Sequence, residues 1–202
     1  MNTDSRRKIL DSIRTNRPSG SFSYPVVRDL SVPTPGNTGL EDFKVHLKEA
    51  YANWYEVKDD REALGLIRRL HPQEDIICSA TPEIPGTRAL SPSDDPHSLE
   101  DVGVGVVRAS FGVAENGAVW ISEDDLVVNA LGFLSQHLIV LLDPAKIVTN
   151  MHAAYKKVTI DQHNYGCFVM GPSATADIDA TLVKGAQGVR SLNVLFLKDP
   201  RE

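Results

Sequence analysis

The stretch 137-HLIVLLDP-144 decides the fold of this chain. It begins with a histidine, continues with five aliphatic residues and ends in an Asp-Pro pair. An uninterrupted aliphatic run of this length is typical of a strand that is buried on both faces of a sheet. Asp143 and Pro144 can cap and start a helix directly after it. The stretch therefore predicts a central strand covered by helices on both sides.

Strand-like and helix-like segments alternate around this run. The predicted strands cover 75–80, 137–142, 167–170 and 192–197, with two more between 102 and 122. The predicted helices cover 40–54, 61–70, 125–134, 144–158 and 173–184, and the prolines within 81–96 make that segment a loop. Such alternation predicts an α/β fold with a mostly parallel sheet flanked by helices. Ligands of such sheets tend to bind beyond the carboxyl ends of the strands.

The first 38 residues are expected to be an appendage of a single α/β domain over residues 39–202. An amphipathic helix fits 4–16, where Ile9 and Ile13 share a face. Residues 18–38 contain several prolines and predict an extended segment. Because a helix of about 16 residues is too short to fold alone, we expect this region to pack on the sheet domain or on a neighbouring chain.

The composition favours a cytoplasmic globular protein and excludes several other classes. The chain has 202 residues, which suffices for one large core at roughly 150 residues per domain. Its formal net charge is −6, so it lacks the basic surplus of a nucleic-acid-binding protein. Its apolar runs are far shorter than the ~20 residues that span a membrane. The start MNTDSRRKIL has no apolar run typical of a secretory signal.

Cysteine and histidine spacing predicts a protein without a metal or a cofactor. The two cysteines, Cys78 and Cys167, are too few and too far apart to hold an iron–sulfur cluster or a structural zinc ion. Both lie in apolar runs, which indicates buried free thiols in a reducing compartment. The six histidines show no metal-ligand spacing, and no nucleotide-binding glycine motif or G-x-S-x-G elbow is present.

The first candidate site segment is 171-GPSATAD-177, between a predicted strand and a predicted helix. Gly171 and Pro172 make the turn, and Ser173 or Thr175 can accept hydrogen bonds from the free amides of the first helical turn. The segment is then either a well-capped turn or a site where the same amides hold a phosphate or carboxylate.

The second candidate segment is 113-VAENGAV-119, where Asn116-Gly117 between two apolar runs predicts a type I′ hairpin. Glu115 is then either an exposed turn residue or a nucleophile or base at a sheet edge.

The third candidate segment is 185-GAQGVR-190, in which Gly185 and Gly188 permit a tight turn or a close approach of the backbone to a ligand. Arg190 is either solvated or the partner of an anion.

Three of these stretches together resemble one known family. They are FGVAENGAVWIS (111–122), QHLIVLLDPAKIV (136–148) and GPSATADIDATLVKGAQGVRSLNVLFL (171–197). In this order and spacing they are similar to the lactate-utilisation protein C family, also called LutC or YkgG, whose domain is the LUD domain. The resemblance covers about residues 40–202, and the GPSATADI block with its Gly-x-x-Gly turn is its most specific part.

The resemblance implies a fold and a role. The implied fold is similar to that of the CoA-transferase and ribose-phosphate-isomerase (NagB/RpiA-like) superfamily. The implied role is in a three-component bacterial system that oxidises L-lactate to pyruvate, in which this chain is the subunit without iron–sulfur clusters. Its implied partners are the iron–sulfur protein subunits, and its ligand pocket is then accessory or regulatory. The turn at 171–177 makes a small anion the expected ligand of that pocket.

A second hypothesis makes the chain an enzyme in its own right. Some CoA transferases carry a catalytic glutamate in a Ser-Glu-Asn-Gly context, and Glu115-Asn116-Gly117 looks similar, with Ala114 in place of the serine. Under this alternative the chain acts on a small carboxylic acid or its CoA thioester, and Glu115 forms the covalent intermediate.

Both hypotheses predict one shared site at an end of the sheet. Its candidate residues are Glu115 as the catalytic group, with Asn116, Gly117, Gly171, Pro172, Ser173, Thr175 and Gly188 around the ligand. Gly185 is expected to lie farthest from the others, because a helix of about 12 residues would separate it from Ser173 by roughly 18 Å.

Overall fold

The run 137–142 forms the central strand of a five-stranded parallel sheet in the computed structural model of the chain. The structure describes residues 3–18, 20, 39–158, 163–178 and 181–200. Two units divide the chain, Met1–Ser31 and Val32–Glu202. The sheet and every site discussed below belong to the second unit.

The first unit contains helix α1 (Thr3–Thr15), as the amphipathic pattern predicts. Its apolar side chains Ile9 and Ile13 are exposed, and Asp4 pairs with Arg7 and Lys8 one turn later. The predicted extended segment 18–38 lies outside the described residues except for Pro18 and Gly20. The packing of residues 1–38 therefore stays a prediction.

The central sheet has the strand order β1-β11-β6-β3-β2, and all of its neighbouring strands are parallel. The strands are β1 (Asn53–Glu56), β2 (Ile77–Ser79), β3 (Val104–Arg108), β6 (His137–Leu142) and β11 (Ser191–Phe196). Because all five run the same way, their first residues meet at one edge of the sheet. The predicted α/β fold with a mostly parallel central sheet is confirmed.

Helices cover both faces of this sheet. Alternate residues of β6 point to opposite sides: Leu138 packs with α2 (Gly39–Glu49), and Ile139 packs with α3 (Asp60–Leu70). Phe43 of α2 and Ile67 of α3 are fully buried in these two cores. Complete burial of one such side chain contributes about 1.5–3 kcal/mol, so the two-sided apolar pattern explains why β6 lies at the centre.

A second sheet of four strands packs beside the first, in the order β7-β4-β5-β8. Its strands are β4 (Phe111–Val113), β5 (Ala118–Ser122), β7 (Ile147–Val148) and β8 (Gly166–Val169). Only the β4–β7 pair is parallel. The region 102–122 thus forms three strands, not the two expected, because Ala109 and Ser110 separate the end of β3 from β4.

The helix predicted over 40–54 is wrong beyond Glu49. Tyr51 adopts a left-handed backbone conformation with φ 62°, which ends α2 and turns the chain into β1. Trp54 continues the three-to-four-residue spacing, yet it lies on a strand and its ring packs 6.1 Å from that of Phe196. Pairing of β1 with β11 overrides the local helical pattern here.

Two further predicted helices are interrupted. Over 125–134 the chain forms two short helices, α4 (Glu123–Leu126) and α5 (Leu131–Leu134), with Val127 at φ 62° between them. After Asp143 only a short 3-10 turn forms (Pro144–Lys146), and β7 follows it. The next helix, α6 (Met151–Lys157), begins at its own cap, Asn150, whose side chain accepts from the amide of Ala153.

The helix predicted over 173–184 is absent, and a β-hairpin takes its place. Strands β9 (Ala174–Ile178) and β10 (Thr181–Lys184) pair antiparallel, with Thr175 opposite Val183. Thr175 and Val183 are half-buried while their chain neighbours are exposed, which is the two-residue period of a strand. The β-branched residues of this segment favour that conformation.

The remaining predicted elements agree with the structure within two residues at each end: helix 61–70, strands 75–80, 167–170 and 192–197, and the loop 81–96. Within the described ranges, no helix combines the length and the apolarity that crossing a bilayer requires.

Candidate functional site

A cavity of about 420 Å³ opens at the amino-terminal edge of the central sheet. The polar side chains that line it include Asn53, His71, Glu74, His137, Ser191 and Asn193, and we call it the histidine cavity. Asn53, His137 and Ser191 are the first residues of β1, β6 and β11. His71 caps the carboxyl end of α3, and Glu74 lies in the loop that follows. The parallel sheet and one helix end thus position the whole lining.

Two histidine rings stack inside the cavity. The ring centroids of His71 and His137 lie 4.1 Å apart, with an angle of 25° between the planes. Burial, and then the neighbouring His137, lower the pKa of His71 to about 4. Burial also lowers the pKa of His137, which the charge of Glu74 raises and that of Arg190 lowers. Both imidazoles are therefore neutral at pH 7.

A chain of hydrogen bonds orients the rings. The side chain of Ser191 lies 2.7 Å from His137, Oγ to Nδ1. The Nδ2 group of Asn193 contacts Nε2 of His71 at 3.4 Å, and Nδ2 of Asn53 donates to the side-chain oxygen Oδ1 of Asn193 at 3.2 Å. Because an amide NH₂ group only donates, Nε2 of His71 accepts and its proton is on Nδ1.

Glu74 brings the only carboxylate among the lining residues of this cavity. Its Oε1 atom lies 3.8 Å from Nε2 of His137. The side chain occupies the space over Gly103, where a Cβ would collide with the carboxylate. The missing side chain at position 103 is therefore what allows Glu74 to face His137. His137 thus has a hydroxyl at one ring nitrogen and a carboxylate near the other.

The turn 115–117 is a hairpin between β4 and β5, but not of type I′. Type I′ needs positive φ at both central residues. Gly117 has φ 69°, whereas Asn116 is not among the residues with positive φ. A Cβ at Gly117 would come within 2.6 Å of the backbone nitrogen of Leu47, so this turn packs against α2. Asn116 accepts from the amide of Ala118 at 3.1 Å.

The carboxylate of Glu115 contacts the start of a helix. Its Oε2 atom accepts a hydrogen bond of 2.8 Å from the amide of Met151, the first residue of α6. Glu115 is exposed, and among the described residues no hydrogen bond links it to Ser173. Its position is that of a carboxylate that stabilises a helix N-terminus.

The turn 171–173 meets the third candidate segment instead. Ser173 donates its amide to Val189 at 3.0 Å and accepts from the amide of Gly185 at 2.8 Å. A Cβ at Gly188 would lie 3.1 Å from that of Ser173. The structure therefore brings Ser173, Gly185 and Gly188 together. The expected separation of Gly185 is wrong, because the chain between them is a hairpin rather than a helix.

The anion-binding interpretation of this turn loses its physical basis. Ser173 precedes a strand, so no free helical amides and no helix dipole lie there. Pro172 is buried, Thr175 is half-buried, and Gly171 packs against the carbonyl of Ala50 at the end of α2. Since Gly117 packs against Leu47, the two turns touch α2 about one helical turn apart. A shared ligand site between them stays a prediction.

Sequence reasoning missed the histidine cavity, because we searched beyond the carboxyl ends of the strands. The available signal was a polar residue at the start of two buried strands, His137 before LIVLL and Ser191 before LNVLF. Asn193 is a further signal, since it is a polar residue within the apolar run LNVLFL. The structure leaves it only 3% exposed.

A group of three side chains could also hold a metal ion. Ligand atoms of Glu123, Asp124 and His163 lie within 4.8 Å of one another. Glu123 already accepts two hydrogen bonds from Asn164, and Nδ1 of His163 lies 3.3 Å from Asp124. The Nδ1 atom of His163 is buried and makes no hydrogen bond among the described residues, and its contact with Asp124 is an ion pair only when the ring is protonated. Because His163 lies about 40 residues after Glu123 and Asp124, short-range spacing rules cannot detect the group.

Comparison with known proteins assigns most of this unit to one family. The sequence model of the LUD domain matches residues 95–197. A protein of Oceanobacillus iheyensis named lactate utilization protein C is 29% identical over 105 residues, which is 48% of this chain and 44% of that protein. The chain thus matches less than half the length of this relative.

A solved structure shows the same fold. The crystal structure of a DUF162 family protein from Deinococcus radiodurans superposes with a TM-score of 0.60 at 14% identity. The likeness covers 78% of this chain and 95% of that one. The range 95–197 that matches the family contains half of the polar lining of the histidine cavity, namely His137, Ser191 and Asn193. The other polar lining residues, Asn53, His71 and Glu74, precede that range.

Proposed function

The chain belongs to the LUD domain family, and from this premise we propose that it serves L-lactate utilisation in the bacterial cytoplasm as a subunit without iron–sulfur clusters. The observation that carries the proposal is the match of residues 95–197 to the family, together with the likeness to a lactate utilization protein C. The proposed partners are iron–sulfur proteins, which would carry the electrons taken from lactate.

The cysteines support this division of labour. Cys78 is buried on β2 of the central sheet, and Cys167 is half-buried on β8 of the second sheet. Burial raises the pKa of Cys167, which disfavours the thiolate that would ligate a metal. A cluster of the common types needs about four cysteine ligands, and the chain has two. Both are free thiols, as proteins of a reducing cytoplasm usually have.

Growth on L-lactate tests the proposal. Deletion of the gene is expected to abolish growth on L-lactate as the sole carbon source while growth on pyruvate continues, and the full chain supplied in trans should restore it. Purification of the tagged chain from lactate-grown cells should recover protein that contains iron and absorbs near 400 nm. Unimpaired growth of the deletion strain on lactate would contradict the proposal.

The Glu115 alternative is not favoured. The structure gives the Glu115 carboxylate another role, since its Oε2 atom accepts the amide of Met151 at 2.8 Å at the start of α6. Borohydride treatment after incubation with acyl-CoA compounds remains the direct test, because it would trap a thioester at Glu115 if one formed. We expect mass spectrometry to show an unmodified residue.

A further inference from the structure

We propose that the histidine cavity binds a small 2-hydroxycarboxylate, with L-lactate as the ligand tested first. This inference rests on the proposed function for the choice of ligand, and on the geometry of the cavity for the site. No motif of the sequence singles out the cavity, and half of its polar lining lies outside the range that matches the family.

The lining supplies the hydrogen-bonding groups that such a ligand needs. A 2-hydroxycarboxylate presents a hydroxyl, which both donates and accepts, next to a carboxylate that only accepts. The Ser191–His137 pair and the neutral ring of His71 offer both kinds of group within one cavity. Its volume of about 420 Å³ is also in the size range of small-molecule sites.

Under this proposal a proton enters the cavity together with the ligand. Glu74 already places one carboxylate beside His137, and the carboxyl end of α3 at His71 adds partial negative charge. Both repel a second carboxylate, and protonation of an imidazole offsets that repulsion. Among the described residues, Arg190 also acts on His137 through its charge, and Tyr55 is a further titratable residue in the lining. The anion therefore binds together with one proton.

His137 is the ring that takes up this proton. Its Nε2 atom faces Glu74, whose charge favours the imidazolium form. Protonation of His71 at Nε2 would instead break the contact with the amide group of Asn193. Because His137 is neutral in the free protein at pH 7, its pKa rises when the anion binds. The affinity for lactate must then increase as the pH falls from 8 to 6.

Calorimetric titration of the full chain with L-lactate tests the site. We expect affinity to increase by up to about tenfold per pH unit between pH 8 and 6, the limit for one linked proton. The heat should depend on the ionisation enthalpy of the buffer, as uptake of one proton requires. L-Lactamide, which lacks the charge, and propionate, which lacks the hydroxyl, should each bind about tenfold more weakly at pH 6. Equal binding of all three compounds, or no binding of L-lactate at about 10 mM, would overturn the proposal.

Two variants and one control complete the test. His137→Asn should weaken lactate binding about tenfold at pH 6 and remove the buffer dependence. Glu74→Gln removes the repelling charge, so it should strengthen binding at pH 8 and flatten the pH dependence. A gain of affinity cannot come from damage to the fold. His97→Asn is the matched control, because the His97 side chain is 93% exposed and pairs with Asp95 away from the cavity. If Glu74→Gln weakens binding at pH 8, the proposed charge balance is wrong.

Failure of this inference can be distinguished from failure of the proposed function. If deletion abolishes growth on lactate but the purified chain binds no lactate, the function stands and the site is wrong. If the chain binds lactate with the expected proton but the deletion strain grows normally, the site stands and the function is wrong.

Discussion

Ser191 and His137 stand opposite each other in register at the first positions of two neighbouring parallel strands, with Oγ and Nδ1 2.7 Å apart. The two residues are 54 positions apart in the chain, and only the sheet brings them together. A cavity at this amino-terminal edge is unusual, because ligands of open α/β sheets bind mostly at the opposite, carboxyl edge.

Gly103→Ala should displace Glu74 from His137. The added Cβ would collide with the Glu74 carboxylate. Since the charge of Glu74 raises the pKa of His137, its displacement should lower that pKa further. NMR titration of the histidine ring signals measures this change.

Gly65→Ala is the matched control, because Gly65 lies inside α3 and its added Cβ would make only an ordinary contact, 3.5 Å from Arg69. This control should stabilise the protein by about 0.5–1 kcal/mol and leave the His137 titration unchanged. An unaltered His137 pKa in Gly103→Ala would contradict the role given to Glu74.

The free energy of unfolding should decrease as the pH is lowered, because the unfolded chain takes up a proton on His71 more readily than the folded chain does. Its pKa is about 4 in the folded chain, against 6.5 unfolded, so the unfolded state binds more protons between these values. The stabilisation that the neutral His71 ring provides is therefore complete above pH 6.5, and it is lost as the pH falls towards 4. We expect a loss of at most about 2 kcal/mol, since the ring is only partly buried and solvent screens it.

Urea unfolding at pH 7 and pH 5 of the native chain and of His71→Gln measures the effect. The variant should lose less stability between the two pH values than the native chain does, and His97→Gln should behave like the native chain. Equal pH dependence in all three proteins would exclude His71 as the cause.

The buried ion pair at the carboxyl edge should be costly to break. Arg108 donates to Glu83 at 2.7 Å and to the carbonyl of Leu197 at 3.2 Å, and both charged side chains are less than a tenth exposed. Glu83→Gln leaves the guanidinium without its counter-charge and should cost about 3–5 kcal/mol in urea unfolding.

The double substitution Glu83→Gln with Arg108→Met should recover a large part of that loss, because it removes the unpaired charge. The more exposed pair Arg88–Asp101 provides the comparison, since Asp101→Asn should cost less than about 1 kcal/mol. If the double variant is no more stable than Glu83→Gln, the loss of stability comes from altered packing and not from the unpaired charge.

Glu115→Gln should change stability slightly and lactate growth hardly at all. The substitution removes a negative charge from the N-terminus of α6 while keeping an oxygen that can accept from Met151. We expect a loss of about 0.5–1 kcal/mol and near-normal growth of the complemented strain on L-lactate. Loss of growth with a normally folded variant would instead support a catalytic Glu115.

Removal of residues 1–16 should leave a folded core. The sheet, its two apolar cores and the histidine cavity all lie within the unit Val32–Glu202. The truncated chain is therefore expected to unfold in a single cooperative transition, measured by circular dichroism in urea. Loss of that transition would mean that the first helix belongs to the core.

The sequence alone was sufficient where a single pattern had a single structural solution. Residues 137–142 are aliphatic at both strand faces, so only a doubly covered strand can bury them all. Residues 61–70 carry one apolar stripe after an Asp that caps the helix, and α3 forms there with Asp59 as its cap. The order of these elements, together with the family-specific blocks, was enough to predict the α/β fold and the family.

Only the tertiary structure decided the segments whose local pattern was ambiguous. The sequence pattern of residues 174–184 is compatible with a helix or with a hairpin, and cross-strand pairing of Thr175 with Val183 selects the hairpin. Tyr51 and Val127 take left-handed conformations that their own side chains disfavour, because the strands and helices on either side of them must pack. The histidine cavity depends on the fold for the same reason: Asn53, His137 and Ser191 become neighbours only when hydrogen bonding between parallel strands aligns their first residues, and no spacing along the chain encodes that contact.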